Sequence, residues 1–154
     1  LGYTHAGLFY TISAVSMIII RMISKHFMDT VPAIKTMTGA VACGILCCLM
    51  LLAAPYGEPV FLASGIFYGL ATGISLPLNQ SVAVKNTPPE RWGAANALFL
   101  LANDIGIGFA SVIWGVINDS FGFQTSIVCV IVCLIASYAS AWIVYPARDK
   151  RWRH

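Results

Sequence analysis

The chain has 154 residues, of which 58% are apolar and only 10% are charged, and its net charge is +3. An ordinary soluble domain carries a charge on about a quarter of its residues, so this composition excludes a soluble globular fold. A mean hydropathy of +0.80 indicates a membrane protein instead.

Five apolar runs, each near the ~20 residues that cross a bilayer, predict transmembrane helices. In chain order these runs cover residues 6–22, 32–54, 59–84, 93–117 and 123–145. A length of this order is typical of one domain. The sequence therefore predicts an all-α fold, a polytopic transmembrane helix bundle of about five spanning helices.

The basic residues predict the orientation of these helices. If five helices cross the membrane, residues 21–35, residues 85–92 and the segment after Pro146 share one side, and together they contain all nine Lys and Arg residues. The positive-inside rule makes that side cytoplasmic, with the C-terminus in the cytoplasm and the protein in the plasma (inner) membrane. A short basic tail beside a membrane helix favours binding to the lipid bilayer over binding to nucleic acid.

Patterns typical of enzymes and metal sites are absent from the sequence. The three histidines, His5, His26 and His154, fall in loops or the tail, and no Ser, Thr or Cys has a His placed to activate it. The five cysteines lie inside apolar runs without a nearby His or carboxylate to complete a metal site. We therefore predict no enzyme activity, no metal and no cofactor.

Several short motifs follow the order of the spans. At the end of the first span, Arg21, Lys25 and Asp29 recur every four residues, which places them on one helical face. Glycines and a proline at the same interval in the third span allow close helix packing. These residues are Gly69, Gly73 and Pro77, followed by Pro88, Pro89, Glu90, Arg91, Gly93, Ala94 and Asn96. Packing glycines are also predicted in the fourth span, at Gly106, Gly108 and Gly115.

In this order these motifs resemble the C-terminal half of a major facilitator superfamily (MFS) transporter, with the five spans matching the family's helices eight to twelve. The resemblance implies that the chain, which begins at Leu1 rather than Met, is a fragment. Helix seven and the N-terminal half of the transporter would then be missing from it. It also implies that Arg21, Asp29, Glu90 and Arg91 form a cytoplasmic gating motif. The implied function is secondary active transport of a small-molecule substrate by alternating access, and family frequency favours a proton-coupled efflux antiporter.

The candidate for coupling is Asp104, which lies about ten residues, and so roughly 15 Å, into the fourth span. Asn96, Asn103 and Ser111 share one face of this span, and Asp104 borders that face. A carboxylate at this depth usually faces a cavity or a partner. Asp104 therefore either carries protons or contacts substrate during transport, or it pairs with a basic residue of the missing half.

Four further polar residues are candidates for lining a solute cavity: Asn79 and Gln80 in the third span, and Tyr10 and Ser13 in the first. The alternative function is a membrane-embedded structural or interaction subunit without its own transport path. A mid-membrane carboxylate favours transport, because a scaffold has little need of such a costly group.

Overall fold

The computed structural model describes residues 6–85 and 87–149, and the side chains of residues 7–24, 31–85 and 87–142. Four long helices account for most of this part of the chain: α1 (Ala6–Thr30), α2 (Ala33–Leu52), α3 (Glu58–Lys85) and α4 (Trp92–Asp149). Short 3-10 turns at Ala54–Tyr56 and Pro89–Arg91 precede α3 and α4. The described residues contain no strand, and the predicted all-α class is confirmed.

Each of the four helices is long and apolar enough to cross a membrane. The last of the four apolar stretches, Pro89–Trp142, has 54 residues. At 1.5 Å per residue it measures about 80 Å, more than twice the ~30 Å of a hydrocarbon core. The stretch containing α4 therefore has the length of two crossings.

Gly122 interrupts α4 between these two crossings. Its φ of 83° and ψ of 168° are not helical, and residues that carry a Cβ rarely adopt these backbone angles. The sequence predicts a turn over residues 118–122, and the interruption falls at the last of these residues. Residues 92–121 are called the first part of α4 below, and residues 123–149 the second part.

The connection between α1 and α2 is shorter than the predicted loop over residues 21–35. α1 continues to Thr30, so only two residues separate the helices. Pro32 (φ −53°, ψ 136°) disfavours helical geometry in the residue before it, which ends α1. Its carbonyl oxygen accepts hydrogen bonds from the backbone N–H groups of Lys35 (2.9 Å) and Thr36 (3.3 Å), and these bonds begin α2.

The chain divides into two compact units, the first made of Leu1–Ser75 with Ile127–His154 and the second of Leu76–Ser126. The core of the first unit is rich in alanine and sulfur-containing side chains, and small residues are expected where helices pack closely in a membrane. Its buried apolar residues are Met37, Ala40, Val41, Cys47, Cys48, Ala54, Ile127 and Ala141. All five cysteines are free thiols, and two of them, Cys47 and Cys48, contribute to this core.

Candidate functional site

The contact between α1 and α3 is made by glycine. A Cβ at Gly69 would overlap the carbonyl oxygen of Ser13 and lie 2.7 Å from Ser16 Cβ. One turn further along α3, a Cβ at Gly73 would lie 3.3 Å from the carbonyl oxygen of Met17. Gly69 and Gly73 therefore let the backbones of two parallel helices touch, which a larger residue would prevent.

Gly65 extends this contact by one more turn. A Cβ at Gly65 would lie 3.0 Å from both the Phe9 carbonyl oxygen and Ser13 Oγ. The sequence prediction includes Gly69 and Gly73 but not Gly65, although the same four-residue spacing would have identified it. Ser13, predicted to line a cavity, is only 4% exposed and lies in this contact. Its hydroxyl donates a hydrogen bond to the Phe9 carbonyl at 2.7 Å.

Aromatic rings close the same contact near the N-terminal ends of α1 and α3. Phe9 stacks on Phe61 with ring centroids 5.0 Å apart, and it lies 6.1 Å from Tyr68. Tyr10 meets Phe9 edge to face at 5.5 Å. Tyr10, predicted to line a cavity, is 70% exposed, so its hydroxyl end lies at the surface of the first unit.

A polar stripe runs along α3 beside the glycines. Tyr68, Thr72 and Ser75 follow one another at four- and three-residue intervals, and Asn79 lies at the next interval of four. Tyr68 lies ten residues after Glu58, about 15 Å along the helix, yet it is 45% exposed. We define Tyr68, Thr72 and Ser75 as the α3 stripe. The sequence prediction omits these three residues, although their helical spacing to Asn79 is the signal that identifies them.

In the second unit, two predicted residues from different helices meet. Gln80 Nε2, near the end of α3, donates a hydrogen bond to Asn96 Oδ1, near the start of α4, at 2.5 Å. Both side chains are half-buried, as is Asn79 beside Gln80. One such bond uses only part of the hydrogen-bonding capacity of two carboxamides, so the pair can also bind a polar solute.

Asp104 lies on an exposed face of the first part of α4, and Asn103 beside it is half-buried. The large side chains one turn away from Asp104 are Leu100, Leu101 and Ile107, and all three are exposed as well. A carboxylate in contact with lipid costs a few kcal/mol. In a membrane this face of α4 therefore requires protein or water against it.

Three predicted packing glycines of the first part of α4 are exposed as well. A Cβ at Gly106, Gly108 or Gly115 would meet no other described atom within 4 Å, apart from its own helix backbone and neighbours. Pro77, the fourth member of the α3 series, lies inside the helix, where it removes the backbone donor that would bond to the Gly73 carbonyl.

The predicted gating residues lie in two different settings, because α1 continues nine residues beyond Arg21 whereas Glu90 and Arg91 precede α4. Arg21 is exposed on α1, and Glu90 and Arg91 are exposed in the 3-10 turn before α4. The Arg91 backbone N–H donates to the Pro88 carbonyl at 2.9 Å, which fixes this turn. The side chain of Asp29 lies outside the described residues. Within the described part of the chain, no group of three or more His, Cys, Asp or Glu side chains is placed to hold a metal ion.

Comparisons with known proteins give a consistent result along the whole chain. The family model of the Major Facilitator Superfamily matches residues 1–154. The staphylopine export protein of Staphylococcus aureus (strain Mu50 / ATCC 700699) is 26% identical, over 96% of this chain and 39% of that protein. The chain thus spans about two fifths of the length of this curated relative. No solved structure matches the chain.

Proposed function

This chain belongs to the major facilitator superfamily, and from that premise we propose that it is part of a secondary active transporter that exports a small solute by alternating access. Family membership and the export relative support transmembrane transport by a multi-pass membrane protein. Its partners are accordingly the lipid bilayer and a transported solute. We propose that this transport is export, that it proceeds by alternating access and that it is coupled to protons.

The observation that carries the proposal is the hydrogen bond between Gln80 and Asn96. In hydrocarbon, polar side chains are stable only where they find partners, so two amides on neighbouring helices stabilise each other. Their remaining donors and acceptors suit a solute that hydrogen-bonds. A purely structural subunit could pack the same helices with apolar side chains alone.

The glycine contact between α1 and α3 supplies a rigid element for alternating access. Transporters of this kind change access by rocking bundles of helices against each other around a central site. Because Gly69 and Gly73 bring the two backbones into direct contact, we expect α1 and residues 58–75 of α3 to move together. The α3 stripe, which begins with Tyr68, then travels with this pair and forms one wall of the solute path.

Asp104 is the residue we assign to proton coupling. Its exposed position among apolar side chains makes an unprotonated carboxylate costly unless water or a partner faces it. A site that gains and loses a proton as the cavity opens to each side would use this cost to couple proton flow to export. The other role for Asp104 is structural pairing with a basic residue elsewhere in the protein, and the Asp104→Asn variant described below separates the two.

The direction of transport and the first solute to test come from the curated relative, whose name assigns it the export of staphylopine. For the orientation, the positive-inside rule applied to the basic residues supports a C-terminus on the cytoplasmic side of the plasma membrane. Arg21, Asp29, Glu90 and Arg91 lie on that cytoplasmic side and gate the path. In this arrangement the transporter is an antiporter that exchanges protons for solute.

The test is transport of staphylopine by the intact protein in proteoliposomes with an imposed proton gradient. Gln80→Leu and Asn96→Leu should each lower gradient-driven flux strongly, and by more than the loss of folded yield that follows when the remaining amide has no partner. Gln124→Leu is the matched control, because Gln124 is an exposed amide beyond the break at Gly122. If the wild-type protein transports staphylopine and both Leu variants transport it at the same rate, the role of the amide pair is refuted. Wild-type protein that moves no solute would favour the structural-subunit alternative.

A further inference from the structure

A chain of hydrogen bonds joins α2 to the second part of α4 within the first unit. Trp142 Nε1 donates to Tyr138 OH at 2.8 Å, and Tyr138 OH lies 2.8 Å from Thr38 Oγ1. The Thr38 hydroxyl donates to the Ile34 carbonyl at 2.8 Å, so Tyr138 is the donor toward Thr38. Every polar hydrogen of these three side chains is used, and the two aromatic rings are held in fixed positions.

The register of the two helices places Lys35 at the level of Trp142. The helices are antiparallel, because a Cβ at Gly44 would lie 3.5 Å from Leu134 Cδ1, whereas Thr38 bonds to Tyr138. Lys35 lies about one turn before Thr38, and Trp142 lies about one turn after Tyr138. Both residues therefore lie near the same end of the helix pair, and both are exposed.

The surface between these residues carries an exposed lysine, Lys35, and a residue without a side chain, Gly39. Gly39, one turn after Lys35 on the same face of α2, is exposed, and a Cβ there would meet no other described atom within 4 Å outside its own helix. Four further basic residues follow Trp142 within eleven positions of the sequence: Arg148, Lys150, Arg151 and Arg153. Trp and Tyr are enriched where hydrocarbon meets the head groups, and cytoplasmic Lys and Arg attract anionic lipids.

We propose that the surface of Lys35, Thr38, Gly39, Tyr138 and Trp142 binds an anionic phospholipid in the cytoplasmic leaflet. The inference rests on the orientation proposed above, not on the solute or the coupling ion. The Lys35 ammonium contacts the head-group phosphate. Because the Tyr138 and Trp142 donors are already used, their rings contact the upper acyl chain, which lies beside Gly39, where no side chain stands in the way.

Native mass spectrometry of the intact protein, released from nanodiscs of mixed phosphatidylglycerol and phosphatidylcholine, measures the predicted preference. Wild type should retain phosphatidylglycerol over phosphatidylcholine. Lys35→Gln should weaken that retention about fivefold, the contribution of one basic residue beside an anionic surface. Lys35→Arg should keep it. Lys85→Gln is the matched control, since Lys85 is an exposed lysine on the same predicted side of the membrane and should keep the preference.

Two variants of Trp142 test whether its aromatic ring contacts the acyl chain. Trp142→Ala should reduce lipid retention, whereas Trp142→Phe should keep it, because the ring remains when the hydrogen bond to Tyr138 is lost. If Lys35→Gln and Lys85→Gln lose the same amount of phosphatidylglycerol retention, the lipid is attracted by the overall positive charge and not by this site, and the proposal is overturned. Unchanged retention in Lys35→Gln, or none in wild type, would overturn it as well. Displacement of the lipid by inorganic phosphate would identify a phosphate site and not a lipid site.

Discussion

Two regions of this protein carry glycine at short intervals in an apolar helix, and the structure places them in opposite settings. At the α1–α3 contact, Gly65, Gly69 and Gly73 lie against the backbone of another helix. On the first part of α4, Gly106 and Gly108 are exposed, and a Cβ at either would meet no other described atom within 4 Å outside its own helix. The comparison shows that glycine spacing permits close packing without specifying it. In α1 the serines that face the glycines complete the contact.

The largest effect should come from a bulky residue at the centre of the closed contact. Gly69→Leu places side-chain atoms where the Ser13 carbonyl oxygen already lies, and we expect it to destabilise the folded protein by about 3 kcal/mol. Folded yield in detergent and thermal denaturation measure this effect. Gly106→Leu is the matched control on the first part of α4, and similar losses in both variants would contradict the contrast between the regions.

Asp104 tests whether the first part of α4 serves transport. If Asp104 carries the coupled proton, Asp104→Asn should abolish gradient-driven export while exchange of solute down its own gradient continues. The neutral amide mimics the protonated acid, so the binding steps remain possible. If Asp104 only pairs with a basic group elsewhere, the variant should instead lose folded yield, because a buried charge is left without its partner. Flux in vesicles and folded yield in detergent are therefore measured on the same preparations. Full gradient-driven export by the Asp104→Asn variant would refute proton coupling through Asp104.

A smaller change sharpens the boundary of the closed contact. Gly65→Ala adds one methyl group 3.0 Å from both the Phe9 carbonyl oxygen and Ser13 Oγ. Since α1 must yield by a few tenths of an ångström, we expect a loss of about 1 kcal/mol in stability. Thermal denaturation measures this loss, and a stabilised variant would show that the contact ends before Gly65.

The smallest effect should have the opposite sign. Gly106→Ala adds a methyl group in open space, and alanine favours the helix over glycine by up to about 1 kcal/mol. The variant should therefore be slightly more stable than wild type in the same denaturation assay. A clear destabilisation would indicate that another part of the protein packs closely against this face of α4.

The helical class of the chain follows from its apolar runs, because their length and composition suit few other structures. Gly69 and Gly73 are also readable from sequence, since their spacing is local to one helix. The hydrogen bond between Thr38 and Tyr138 cannot be predicted from the sequence, because it joins residues 100 positions apart and depends on how two helices pack. The exposure of Asp104 is unpredictable for the same reason, as spacing alone does not state which face meets another helix.

The parallel contact of α1 and α3 has a consequence for the order of events during synthesis. Ser13 and Gly69 touch, but the whole of α2 is made between them. At ~5–20 residues per second, α1 leaves the ribosome several seconds before its partner helix exists. During that interval the surface of α1 around Ser13, which packs on glycine in the folded protein, faces lipid or a chaperone. A factor that shields this surface would then raise the yield of correctly assembled protein.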